Sequence, residues 1–237
     1  MMKRIAPVLV VAVVVTMIAP SLAFAKKKVT SRDDFQAGLD VGTYLYGVIP
    51  YGSWESSKAD ADGSISGQGG MGPIIGAHFN LMAANDLIIH LDIAYSDQGG
   101  DATLEYDDEE KADEKEYDFD YGMSMFRGSV GVGKYIARTG KVLPYYMGGL
   151  GLHYLSFKDK DNKDWDESAS GGGVGLWGAL GVDAKIVKSQ GMQVFIGGQF
   201  RMDMIYTVNP LEHDDSDTEI SMFYIPLQVL LTGGVMF

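Results

Sequence analysis

The chain has 237 residues, a formal net charge of −13 and no cysteine. The missing cysteine excludes a disulfide framework and a thiolate metal site, and the acidity argues against nucleic acid, whose phosphates need a basic patch. Thirty-one glycines and thirteen tyrosines favour β structure with close backbone approaches over helix.

Lys3 and Arg4 open the chain, an apolar run extends from Ile5 to Ile18, and Ala23-Phe24-Ala25 precedes Lys26-Lys27-Lys28. A basic start, a short apolar core and a small-x-small site predict a secretory signal peptide over 1–25. The alternative is a membrane anchor, but the run is shorter than the roughly 20 residues of a spanning helix. Residues 26–34 then form a short lead-in, and 35–237 suit one domain.

From Phe35 the pattern has a period of two. Phe35, Ala37, Leu39, Val41 and Leu45 share one face, with Gln36, Asp40, Tyr44 and Tyr46 on the other. The same alternation recurs over 73–83, where Ile75, Ala77, Phe79 and Leu81 oppose His78 and Asn80, and over 87–96, where Leu87, Ile89, Leu91 and Ile93 oppose His90 and Asp92. Further runs lie at 117–136, 142–157, 172–186 and 192–208. The last, 219–237, keeps Phe223, Ile225, Leu227, Val229, Leu231, Val235 and Phe237 on one face. One wholly apolar face and one mixed face fit hydrocarbon outside and a packed lumen inside. Eight such runs predict an all-β, eight-stranded antiparallel up-and-down transmembrane β-barrel.

Connections alternate. The turns at 84–85, 137–141 and 187–191 are short, whereas 48–70, 97–116, 158–170 and 209–218 read as long loops. Short turns on the periplasmic side and long loops outside are the pattern of such barrels. A soluble meander with uneven hairpins is the alternative, but it would turn its apolar faces inward. Pro50 and Pro210 fall in the expected loops, and Pro73, Pro144 and Pro226 near strand ends. Tyr95, Tyr154, Tyr206 and Phe223 form one expected aromatic band, with Phe35, Tyr146 and Phe237 as the other. One run changes parity: Tyr117, Phe119, Tyr121 and Met123 are odd, but Phe126, Val130 and Val132 are even. Either a β-bulge near Met125 or an upper half standing above the bilayer explains it.

The stretch Pro144-Tyr145-Tyr146-Met147-Gly148-Gly149-Leu150-Gly151, after Val130-Gly131-Val132-Gly133-Lys134-Tyr135, resembles strands of small Gram-negative outer-membrane barrels of the OmpA transmembrane, OmpX and Ail type. The resemblance implies an outer-membrane location, a periplasmic N-terminus and a monomer in contact with lipid and lipopolysaccharide. It also implies a C-terminal assembly signal for the insertion machinery. Val235 and Phe237 match that signal's apolar positions, while Thr232 stands where glycine is usual.

On the inward faces the parity places Asp40, His78, His90, Asp92, Arg127, His153, Asp183, Lys185, Arg201 and Asp203, with Gln36, Gln193, Gln199 and Gln228. Eight strands leave room for side chains only, so these should form a paired plug. A gated narrow pore is the sharper alternative. A lipid A-modifying hydrolase would need His beside Ser; His153 and Ser156 have opposite parity, and no catalytic residue is assigned. No cofactor is expected. Acidic runs include Asp107, Asp108, Glu109 and Glu110, weak candidates for Ca²⁺ or Mg²⁺ shared with lipopolysaccharide, or for docking a basic surface partner. Asp60-Ala61-Asp62-Gly63 fails as a calcium loop, because Lys58 and Gly69 occupy the ligand positions. The sequence therefore predicts a structural or surface-interacting barrel.

Overall fold

Ten strand segments carry the alternation: β1 (Phe35–Ser56), β2 (Ala61–Gly69), β3 (Pro73–Met82), β4 (Leu87–Tyr106), β5 (Glu116–Tyr135), β6 (Val142–Asp159), β7 (Ala169–Ser189), β8 (Met192–Thr207), β9 (Leu211–His213) and β10 (Thr218–Met236). The structure is a computed structural model that describes residues 35–56, 61–83, 86–106, 116–137, 140–160, 169–189, 192–208, 211–213 and 218–237. The expected signal peptide and lead-in lie outside the described residues.

The segments make one antiparallel sheet that closes when β10 pairs with β1, from Gln36↔Met236 to Ser56↔Thr218. Segment β2 pairs with β1 and β4 above the place where β3 pairs with the same two strands. In the same way β9 lies between β7 and β10, above β8. The ring therefore has eight staves, two of them in two pieces. Closure leaves no edge strand, so the ladder satisfies the backbone without water. No helix among the described residues is long and apolar enough to cross a membrane.

The end carrying Phe35 and Phe237 is the lower end. Around the lower wall Leu39, Val41, Ile75, Leu91, Ile93, Val132, Leu150, Leu180, Ile196, Phe200 and Leu231 stand exposed on the outside. In register across β4, β5 and β6, Tyr95, Phe126 and Tyr154 form the upper rim of this belt, and Tyr206 pairs with Phe223 on the far side. Tyr51 stacks on Phe223 with ring centroids 5.5 Å apart. Phe35, Tyr146 and Phe237 lie near the lower rim.

Above that rim the pattern inverts. Segment β5 has no register shift against β4 or β6, so the parity switch at Met125 is not a bulge. Odd residues face inward along its whole length: Phe119, Tyr121, Met123 and Met125 above, then Arg127 and Ser129 below. Outside, Asp118 and Asp120 give way to Phe126 and Val132. The lower wall has hydrocarbon-type residues outside and a polar lumen, while the upper wall has a polar exterior around an apolar core. That upper core holds Trp54, Ile65, Phe119, Phe157, Ile220 and Tyr224 among others.

This inversion corrects the expected loops. Much of 48–70 and 97–116 is wall, because β1 runs on to Ser56, β2 fills 61–69 and β4 reaches Tyr106. A strand of 22 residues is about 70 Å long at about 3.3 Å per residue. Tilted by about 45°, it rises about 50 Å, twice the roughly 25 Å apolar band of such barrels. Two placements also change. Pro226 lies inside β10 opposite Gly47, beside the register shift between Tyr44 and Tyr46, where one residue of β1 escapes regular pairing and a missing N–H is tolerated. Pro50 lies within β1, in the irregular stretch between Val48 and Tyr51. The same shift carries Tyr46 outward: it is 44 % exposed, whereas Tyr44 is buried.

The inversion has a measurable consequence. Leu91, 41 % exposed and paired with Val130 midway between the two rims, faces the apolar belt, so Leu91→Lys should cost about 2–4 kcal/mol, whereas Ser124→Lys above the rim should cost about 0–1. Urea unfolding of both variants refolded into lipid vesicles measures the difference; equal costs would contradict the belt's upper limit.

Candidate functional site: the lumen

The interior at belt level is where the sequence gathers its charge. Because the strands alternate, residues from all eight staves converge there. Asp92 comes from β4, Arg127 and Ser129 from β5, His153 from β6, Trp177 and Asp183 from β7, Arg201 and Asp203 from β8, and Gln228 from β10. Gln36 and Asp40 from β1, with His78 and Asn80 from β3, complete the set.

Arg201 is the centre. Its Nε donates to Asp203 at 3.0 Å, its Nη1 to Asp92 Oδ2 at 2.8 Å, and its Nη2 to Asp203 Oδ1 at 2.9 Å and Ser129 Oγ at 3.3 Å. Its guanidinium lies 4.2 Å above the Trp177 ring, a cation–π contact. Arg127 donates from Nε to Asp92 Oδ1 at 3.0 Å and from Nη1 to Gln228 Oε1 at 2.8 Å. Gln228 closes the ring by donating to Asp203 Oδ2 at 2.7 Å, and Ser129 donates to Asp92. Two guanidiniums and two carboxylates are thus cross-linked in a site where Asp203 is 0 % exposed. Removed from water, each charge is tolerated only because the others saturate it. Gly131 makes room for this: a Cβ there would stand 2.3 Å from the Trp177 ring, so the indole occupies space that only a bare backbone leaves.

Below the quartet runs a second row. Gln36 Nε2 donates to Asp183 Oδ2 at 2.9 Å, which leaves Gln36 Oε1 to accept from Asn80 Nδ2 at 2.8 Å. Asn80 Oδ1 then faces His90 Nδ1 at 2.6 Å, and His90 Nε2 faces Asp92 Oδ2 at 3.0 Å. His78 Nδ1 lies 2.9 Å from Asp40. Tyr135 also donates to Asp183 Oδ2, at 3.0 Å.

Nine of the ten residues placed inward from the sequence are therefore buried in the lumen. Lys185 keeps the same inward face, opposite the buried Phe195, but it is only half-buried, at the lower end of β7 beside the register shift between Lys185 and Val187. Gln193 lies at the same rim and donates to Val187 O. His153 is buried with Nδ1 3.3 Å from Met125 Sδ, and Ser156 faces outward on the same strand, so the two do not meet. Sequence reasoning put Asn80 on the polar face beside His78 without adding it to the cluster, and passed over Ser129, Tyr135 and Trp177. Strict parity along β5 would have found Ser129 and Tyr135.

Apolar clusters flank the quartet above and below. The upper apolar core lies over the quartet, and Tyr135, Leu143, Tyr145, Met147, Phe195 and Met236 pack below it. In the upper core, outside the belt, Gln98 donates to Tyr224, and burial pushes the Tyr121 phenol well above its usual range, with Asp101 adding to the effect. On the outside of the upper wall a groove of about 700 Å³ runs across β1, β2, β4 and β5, lined by Tyr46, Pro50, Gln68, Asp101, Asp118 and Asp120 among others. Asp107, Asp108, Glu109 and Glu110 lie outside the described residues, whereas Asp62 and Gly63 are strand residues of β2.

No protein-family model matches the chain, and no curated protein matches it. Among solved structures it is similar to the outer membrane protein OprG from Pseudomonas aeruginosa, at 14% identity over 87% of this chain and 98% of that one, with a TM-score of 0.47. It is also similar to Ail, the attachment invasion locus protein of Yersinia pestis, at 13% identity over 86% and 99%, with a TM-score of 0.38. For Neisserial surface protein A the values are 16%, 82% and 96%, with a TM-score of 0.35. With each of these TM-scores below 0.5, the barrel is identified by its own closure of β10 onto β1.

Arg201 gives the sharpest test of the quartet. Arg201→Met keeps much of the side chain's length but leaves Asp92 and Asp203 short of a counter-charge in a dry site. It should cost about 3–5 kcal/mol, read as a lower urea midpoint for the refolded barrel. An unchanged midpoint would mean that water fills the lumen and screens the pair.

Proposed function

We propose that the protein is an integral outer-membrane β-barrel whose lumen is a sealed plug, and that its work is done by the outside of its upper wall. The single observation behind this reading is the inversion at the Tyr95–Phe126–Tyr154 row. Below it the exterior suits lipid; above it the exterior is polar and the core apolar, so the barrel presents a rigid platform well clear of the bilayer. In this reading the lower end, with Phe35 and Phe237, is periplasmic, and the upper half is exposed at the cell surface as a monomer.

The platform carries a shaped acidic feature. The groove lined by Asp101, Asp118 and Asp120, with Gln68 and Tyr46 beside them, has both charge and an aromatic edge. Those groups suit a surface partner that offers basic side chains with an apolar stem. No catalytic role is assigned to the lumen, where arginine, aspartate and glutamine saturate one another.

A conducting pore is the competing reading, and the filling of the lumen weighs against it. Side chains of the quartet span the interior, and apolar clusters cap it on both sides. Purified protein in planar bilayers should give no steady conductance. A reproducible ohmic step carried by ions would replace the sealed-platform reading with the pore.

A further inference from the structure

Charge on the outside of the barrel is divided by height. Above the aromatic row Asp97, Asp101, Asp118 and Asp120 stand exposed, with Lys158 and Lys160 among them. The lower end is basic. Lys134, Lys141 and Lys188 are exposed at the lower ends of the adjacent staves β5, β6 and β7, with Lys185 half-buried beside them. Among the described residues, the acid on this side of the rim is Asp86, in the turn before β4. The carboxylate of Phe237 lies across the ring, where β10 meets β1.

Lys134 has the most exacting position. It faces outward on β5, between Val132 and Ile136 along the strand and between Leu87 and Tyr146 across it. All four neighbours are exposed apolar or aromatic side chains, from 40 % for Leu87 to 69 % for Ile136. Tyr146 belongs to the lower aromatic band, so this ammonium stands at the depth where hydrocarbon gives way to phosphate. No ion pair joins it to a carboxylate among the described residues. A lysine stem covers apolar wall at such a depth while its head requires an anion from outside the chain.

The next row up is bare. Gly148 on β6 and Gly178 on β7 are paired at outward positions, and a Cβ on Gly178 would meet nothing within 4 Å. Tyr146 and Leu180 border this strip below, and Leu150 and Leu176 above, all of them exposed. The result is a shallow apolar trough across two strands that begins beside Lys134.

We propose that the lower rim over β5, β6 and β7 binds an anionic glycerophospholipid of the lower leaflet. Its phosphate lies on Lys134, Lys141 and Lys188, and an acyl chain lies in the Gly148–Gly178 trough. A headgroup of net negative charge satisfies the lysines, whereas a choline headgroup brings a cation that they repel. The inference rests on the lower wall being embedded in lipid and is independent of what the upper platform binds.

Native mass spectrometry of the folded barrel in nonionic detergent tests it, with phosphatidylglycerol or phosphatidylcholine of equal chain length added. Phosphatidylglycerol should bind about tenfold more tightly or better, and Lys134→Gln should cost about fivefold of that, the worth of one lysine near a membrane surface. The triple variant Lys134→Gln/Lys141→Gln/Lys188→Gln should bring the two lipids level. Gly178→Leu fills the trough and should weaken both. Lys158→Gln removes the same charge from the upper wall and should leave the preference intact. Equal binding of the two lipids by the wild type would overturn the proposal. So would a preference that survives the triple variant, or one that Lys158→Gln lowers as much as Lys134→Gln does. A conducting lumen would replace the sealed plug but leave these outcomes unchanged, because the lipid sits on the outer wall.

Discussion

A chain that crosses hydrocarbon with strands has no water to complete its backbone, so the ladder must close on itself. The pairing of β1 with β10 over its full length is that closure, and the rest of the structure depends on it. Once the ring is shut, side chains have two destinations only. Period-two alternation sends half to the lipid and half to a lumen too narrow for bulk water. A charge on the inner face must then find its partner among its neighbours, which is why Arg127, Arg201, Asp92 and Asp203 occur here as a cross-linked quartet.

The same ring meets a second solvent higher up. Above the aromatic row the exterior is wet, so the hydrophobic effect works in the ordinary sense and drives apolar residues inward. Segment β5 records both regimes without any change of geometry: Met123 and Arg127 face the same interior two positions on either side of Met125. The backbone is continuous, and only the free energy of each face changes sign. Such a barrel is an ordinary β-barrel core stacked on a membrane barrel. The upper core also lies directly over the quartet.

How much of this was legible in the sequence depends on which solvent the pattern assumed. The lower halves of the strands stood out because Leu39, Val41, Ile75, Leu91 and Ile93 alternate with polar residues, and that parity also put Asp92, Arg127, Arg201 and Asp203 on the inside. The upper halves were hidden by their own inversion. In β2, Ile65 alternates with Ser64 and Ser66 among glycines, which reads as loop unless an apolar interior is expected above the belt. Register shifts left no mark at all. Tyr46 was misplaced because the unpaired residue before it alters which face the following positions take, and nothing in residue type announces it. Trp177 was missed for a different reason: a lone indole is as common outside a polar cluster as within one.

Glycine distribution completes the picture of the lumen. Large side chains can lie across so narrow an interior only where the facing wall is bare. Trp177 rests on Gly131, and the indole in turn supports the guanidinium of Arg201, so a residue with no side chain positions the centre of the charge network. Tyr145 uses Gly181 in the same way, with a Cβ there falling 2.4 Å from the phenol oxygen. The plug therefore depends on the glycines as much as on the charges. Adding volume at Gly131 would displace Trp177, and with it the apolar floor that keeps Arg201 bound to Asp92 and Asp203 instead of to water.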